Sequence, residues 1–91
     1  MKVILPSALK QYAGNNPEVE LPGATVSEVL DALTERFPDL RKHIFSDDGR
    51  IRAFVNVYVN EDDIRHLARR ENTALTSADV ISIIPSIAGG R

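Results

Sequence analysis

The chain has 91 residues, room for one domain with a modest core, since a chain this short buries only about 60–65% of its unfolded surface. Its formal net charge of −2, from 11 basic and 13 acidic residues, lacks the basic excess of a dedicated nucleic-acid or anionic-membrane binder. The absence of cysteine excludes disulfides, zinc–thiolate sites, thiol nucleophiles and persulfide carriage on a side chain.

In chain order, Lys2 to Pro6 is apolar and β-branched and predicts a first strand, closed by a proline that has no N–H for a ladder. Ser7 to Ala13 predicts a short helical turn before the turn signal Gly14-Asn15-Asn16-Pro17. Glu18-Val19-Glu20-Leu21 alternates as a half-buried strand does and stops at Pro22-Gly23, so the first two strands read as a hairpin. Thr25-Val26-Ser27-Glu28 has the form of a capping box, in which Thr25 caps the helix and Glu28 reaches back to the N–H of the cap. Val26, Val29, Leu30, Leu33 and Phe37 then fall on one helical face, and Pro38 ends the element. Leu40, Ile44 and Phe45 anchor an irregular segment that leads to a turn at Asp47-Asp48-Gly49.

Ala53 to Asn60 predicts the best strand, with Ala53, Val55, Val57 and Val59 toward the helix and Phe54, Asn56, Tyr58 and Asn60 on the other face. A weak strand is expected at Ile64 to Leu67, and a last strand at Val80 to Ile84, ended by Pro85. One amphipathic helix among several strands predicts an α+β domain: a mixed sheet of four to five strands with one main helix packed on one face. In β-grasp folds of this order the first and last strands are neighbours at the centre. Residues 1–85 are expected to form the domain and 86–91 a flexible tail. With neither a signal-like apolar stretch at the start nor a run approaching the roughly 18 apolar residues of a membrane span, a cytoplasmic protein is expected.

Three stretches carry a family resemblance: Leu21-Pro22-Gly23-Ala24-Thr25-Val26, Phe54-Val55-Asn56-Val57-Tyr58-Val59-Asn60, and the ending Asp79-Val80-Ile81-Ser82-Ile83-Ile84-Pro85-Ser86-Ile87-Ala88-Gly89-Gly90. Together they resemble the MoaD/ThiS ubiquitin-like sulfur carriers, most strongly the CysO-type branch that supplies sulfur for cysteine synthesis. The resemblance implies the β-grasp (ubiquitin-like) fold and a carrier rather than an enzyme. It implies that an E1-like enzyme, using ATP and magnesium, adenylates the carboxylate of Gly90, that a sulfur donor turns it into a thiocarboxylate, and that a synthase takes the sulfur. The acceptor is a cysteine, molybdopterin or thiazole precursor or a tRNA base, according to branch. Ile87, Ala88 and Gly89 would thread into the partner, and no cofactor is held permanently. Glycine suits such a path, because without Cβ the backbone approaches closely. A ubiquitin-like modifier joined through Gly90 to lysines shares the adenylation step, and the sequence does not separate the two.

The sequence departs from that family at Arg91, which leaves Gly90 in a peptide bond. The preferred reading is a precursor trimmed between Gly90 and Arg91 by a JAMM-type metalloprotease; an added residue or a diverged, inactive member are the other two. Ala78 stands where glycine is expected, which a type I turn tolerates. His43 and His66 fall in no metal-ligand spacing, and Glu28, Asp31 and Glu35 read as a solvated helix face. Arg65, Arg69 and Arg70, near Glu71, read first as a solvated basic loop and second as a contact to an acidic partner patch. Phe54 and Tyr58 mark a partner surface on the open sheet face, joined by Ile81 and Ile83 if the last strand turns its other side inward; the other reading places these side chains in the core.

Overall fold

The computed structural model describes residues 1–53 and 55–85. β1 (Lys2–Ile4) and β2 (Glu18–Glu20) each bury only their middle residue, so Val3 and Val19 face the core as antiparallel partners. Between them Ser7–Lys10 forms α1 and Gln11–Ala13 a 3-10 turn that ends at Gly14 with φ of 66°. The expected hairpin is present, with this helical turn in its connection.

α2 (Val26–Arg36) buries Val26, Val29, Leu30, Leu33 and also Thr34, whose hydroxyl donates to the carbonyl of Leu30 at 3.1 Å. Phe37 lies past the helix end and is only partly buried. Thr25 Oγ1 accepts from the N–H of Glu28 at 3.2 Å, as the sequence predicts. Glu28 Oε1 instead accepts from Ala24 N at 2.8 Å, one residue before the cap. Thr73 to Leu75 clamps the same end: Val26 N donates to Thr73 O at 3.2 Å and Leu75 N to Ala24 O at 2.8 Å. Each fully buried leucine of this face contributes on the order of 1.5–3 kcal/mol.

The segment after α2 is more regular than expected, because Pro38–Leu40 forms a 3-10 turn that runs into α3 (Arg41–Ile44). Leu40, Ile44 and Phe45 are buried as predicted. β3 (Val55–Val59) buries Val55, Val57 and Val59. The weak strand lies earlier than predicted, as β4 (Asp62–Asp63), and residues Ile64–His66 form a 3-10 turn. The cause is Asp63, whose carboxylate accepts from the N–H of Arg65 at 2.9 Å and turns the chain while Ile64 enters the core. β5 (Val80–Pro85) closes the list in a five-stranded sheet of order β2-β1-β5-β3-β4, parallel between β1 and β5 and otherwise antiparallel. This is the predicted β-grasp arrangement, with the first and last strands side by side at the centre and α2 across one face.

The turn into β5 is held by Asp79. Its carboxylate accepts from the backbone N–H of Thr76 at 2.9 Å and from Asn60 Nδ2 at 3.0 Å, and these bonds hold its pKa below the ordinary 3.8. Asn60 Oδ1 in turn accepts from Val80 N at 3.1 Å, so one side-chain pair joins the β3 end to the β5 start. Ala78 has no positive φ, consistent with the turn that alanine tolerates. A depressed carboxylate pKa adds stability above the unfolded value and loses it as pH falls through the folded one. Asp79→Asn is therefore expected to lower the Tm at pH 7, with the gap to the parent closing as pH falls below 3.8; a gap that is constant with pH in thermal melts contradicts this.

Candidate functional site

The last described element, β5, lies inside the sheet, with a strand on each side. β5 pairs with β1 on one side and β3 on the other, and its last residue, Pro85, stands opposite Val55. Ile87, Ala88, Gly89, Gly90 and Arg91, the residues expected to thread, react and be cut, lie outside the described residues, as does Phe54.

Of the expected partner surface, Tyr58 is half-buried on the open face of the sheet. Ile81 and Ile83 are not part of that surface: they are 0% and 1% exposed, deep in the core. The register accounts for this. Ile81 pairs with Val59 and Ile83 with Val57, and residues directly opposite share a face, so both isoleucines lie with the valines that meet α2. The open face carries two other isoleucines instead, Ile4 at 40% and Ile84 at 48% exposure. Ile4 and Tyr58 flank Ser82 in one row across β1, β5 and β3, and Ile84 faces Asn56 in the next. The signal was in the alternation: Lys2 and Ser82 must face water, and Ile4 and Ile84, two residues on, follow them.

The rim of this face is charged. Lys2 pairs with Glu18 at 3.7 Å, and the N-terminal ammonium with Glu20 at 3.3 Å. Arg65 is exposed, as expected, but it is tied to the sheet. Its guanidinium donates to the Ala53 and Val55 carbonyls at 3.3 Å each and to Asn56 Oδ1, strapping the 64–66 turn to β3. Arg69 and Arg70 are exposed.

Nothing among the described residues assembles an acid–base or metal centre. No group of three or more His, Asp or Glu could hold a metal ion there. His43 stacks on Tyr12 with ring centroids 4.1 Å apart, its Nε2 buried without a partner, while His66 is exposed. Asp48, exposed, and Asp79, half-buried, have pKa values lowered by turn hydrogen bonds, from the Ser46 hydroxyl first for Asp48 and the Thr76 N–H first for Asp79. Both thus stay ionised at neutral pH, the wrong state for a proton donor. Glu28 serves the helix cap, and Asp31 and Glu35 face solvent. No helix among the described residues is long and apolar enough to cross a membrane. Among the described residues the arrangement offers a recognisable sheet face and no assembled reactive centre.

Comparison with known proteins agrees with this picture. The family model described as the ThiS family matches residues 3–90. The sulfur carrier protein CysO of Mycobacterium tuberculosis is 30% identical over 90 residues, covering 97% of this chain and 96% of that protein. Among solved structures, a chain of the Amycolatopsis orientalis BexX/CysO complex superposes with a TM-score of 0.85 at 30% identity, covering 98% of both chains. The small archaeal modifier protein 1 of Methanosarcina acetivorans superposes with a TM-score of 0.84 at 35% identity, covering 98% of this chain and 94% of that one.

Proposed function

Since the chain belongs to the ThiS family, a family of small carriers rather than enzymes, we propose that it carries sulfur as a thiocarboxylate on Gly90 after Arg91 is removed. The observation that carries the reading is the diglycine placed four and five residues beyond the end of a central strand, in a chain with no cysteine and no assembled catalytic centre among its described residues.

A carboxylate resists nucleophiles until its oxygen is joined to a better leaving group. In the proposed sequence a Gly90 carboxylate oxygen attacks the α-phosphorus of magnesium-bound ATP on an E1-like enzyme, and pyrophosphate leaves. A sulfur nucleophile then adds to the acyl carbon and AMP departs with the former carboxylate oxygen, leaving sulfur on the chain. A synthase accepts it, and likeness to CysO makes cysteine formation the preferred destination. The protein itself contributes no acid or base: it is a co-substrate. Arg91 is taken off by a JAMM-type metalloprotease, in the cytoplasm, where reduced sulfur donors are available.

Ile4, Tyr58 and Ile84 form the docking face for the activating enzyme, in the place that the sequence reading gave to Phe54, Tyr58, Ile81 and Ile83. Both isoleucines are exposed, so Ile4→Asp with Ile84→Asp is expected to leave the Tm nearly unchanged while raising the KM for the chain ten-fold or more. An unchanged KM in adenylation kinetics contradicts that placement.

The second reading, a modifier joined through Gly90 to target lysines, is favoured by the likeness to small archaeal modifier protein 1. The two diverge at the acyl-adenylate. The chain ending at Gly90 is incubated with the E1-like enzyme of its own genome, magnesium-ATP and sulfide, with and without cell extract. Exchange of one oxygen for sulfur in the intact mass supports the carrier; adducts to extract proteins without thiocarboxylate support the modifier; an unaltered chain contradicts both.

A further inference from the structure

A cavity of about 370 Å³ opens where β3 begins. Its floor is apolar and buried: Val55, Val57 and Ile64. Its rim carries Arg50, Arg52, Arg65 and Arg70 against one carboxylate, Glu71. This corner is positive in a chain whose net charge is −2, and opposite in sign to the outer face of α2 with Glu28, Asp31 and Glu35.

Two of the guanidinium groups are held by neutral acceptors. Arg52 Nε donates to the Lys42 carbonyl at 2.8 Å, and Arg65 to the Ala53 and Val55 carbonyls at 3.3 Å. Such bonds fix the group in place without cancelling its charge. Arg65 also faces Asp63 at 3.6 Å and Arg50 faces Asp48 at 3.8 Å, whereas Arg52 and Arg70 make no ion pair among the described residues.

The position of the cavity and its wetness narrow the occupant. Val55 on its floor pairs with Pro85, so the cavity opens beside the point where β5 ends and the tail begins. Arg50, Arg65 and Arg70 are exposed, and a small free anion would leave them in water, where paired charges attract weakly. A protein surface that covers the rim removes that water and strengthens the attraction. We propose that this cavity receives an acidic side chain, set beside a small apolar one, from the activating enzyme that takes the tail. The carboxylate meets Arg52 and Arg70 and the apolar neighbour rests on Ile51, a half-buried residue of the cavity wall. This assignment rests on the carrier reading for its partner and adds a second contact, separate from the open sheet face.

The test is ATP–pyrophosphate exchange by the E1-like enzyme of the same genome, with the chain ending at Gly90 as varied substrate, at several salt concentrations. Arg70→Gln and the double variant Arg52→Gln/Arg70→Gln are compared with the parent, and Arg70→Lys serves as the charge-retaining control. The double variant is expected to raise KM ten-fold or more with kcat within two-fold, and to flatten the salt dependence; Arg70→Gln gives a smaller rise, which Arg70→Lys largely reverses. Because the Arg70 side chain makes no hydrogen bond among the described residues, its variants keep the fold, verified by unchanged amide spectra away from the cavity. Unchanged KM and salt dependence in both Gln variants, or a loss confined to kcat, overturn the cavity assignment while leaving the carrier reading intact. A parent chain that is never adenylated overturns the carrier reading, and the assignment falls with it.

Discussion

A chain ending at Gly90 is expected to undergo adenylation at least about a thousand-fold faster than the same chain ending at Arg91, because one extra residue moves the terminal carboxylate about 3.3–3.6 Å along an extended backbone. In-line attack on a phosphorus atom needs the oxygen placed to within a fraction of an ångström, and a misplacement of about 1 Å can cost on the order of a hundred-fold. Arg91 adds two further obstacles: a Cβ where the path suits glycine, and a cation that loses water on entering a narrow channel. Pyrophosphate exchange at equal concentrations of the two forms checks this. Equal rates contradict the need for trimming, and with it the role given to the metalloprotease.

The largest expected loss of stability from a single added methyl group is at Gly23. Its φ is 154°, and a Cβ built there lies 2.5 Å from Val29 Cγ2 and 2.9 Å from Val29 N. The side chain of Val29 can rotate; the helix backbone cannot move without disturbing the cap made by Thr25 and Glu28. Gly23→Ala is therefore expected to cost about 2–4 kcal/mol through overpacking and strain. For a domain of this size that lowers the Tm by roughly 10–25 °C. An unchanged urea midpoint contradicts the close approach. The position ties fold to function, since Pro22-Gly23 sets the start of α2, and α2 supplies the layer that keeps Ile81 and Ile83 of β5 buried.

The sequence made β3 legible because its valines alternate without a break, and α2 legible because its cap and apolar spacing agree. It locates β5 but leaves its facing open, so Ile81 and Ile83 fit either the open face or the core until the register places them in the core. Four apolar residues in five obscure the alternation, and Ser82 is the only polar residue within that run. Ile4 gives no surface signal for a related reason: a three-residue strand with one charged end offers little periodicity to read. β4 ends before Ile64, whose apolar side chain predicts a strand, because the Asp63 carboxylate diverts the chain after only two paired residues. The arginine-rimmed cavity could not be read from spacing, since Arg50 and Arg52 meet Arg65 and Arg70 only through the fold. The diglycine ending needed no fold to be seen, and its chemistry rests on the family likeness and the experiments above.

The most direct test of the central claim is the intact mass of the chain isolated from its native cells under conditions that preserve thioacids. The account predicts a population ending at Gly90 in which one terminal oxygen is replaced by sulfur. Chains that all retain Arg91 and carry no sulfur would contradict it.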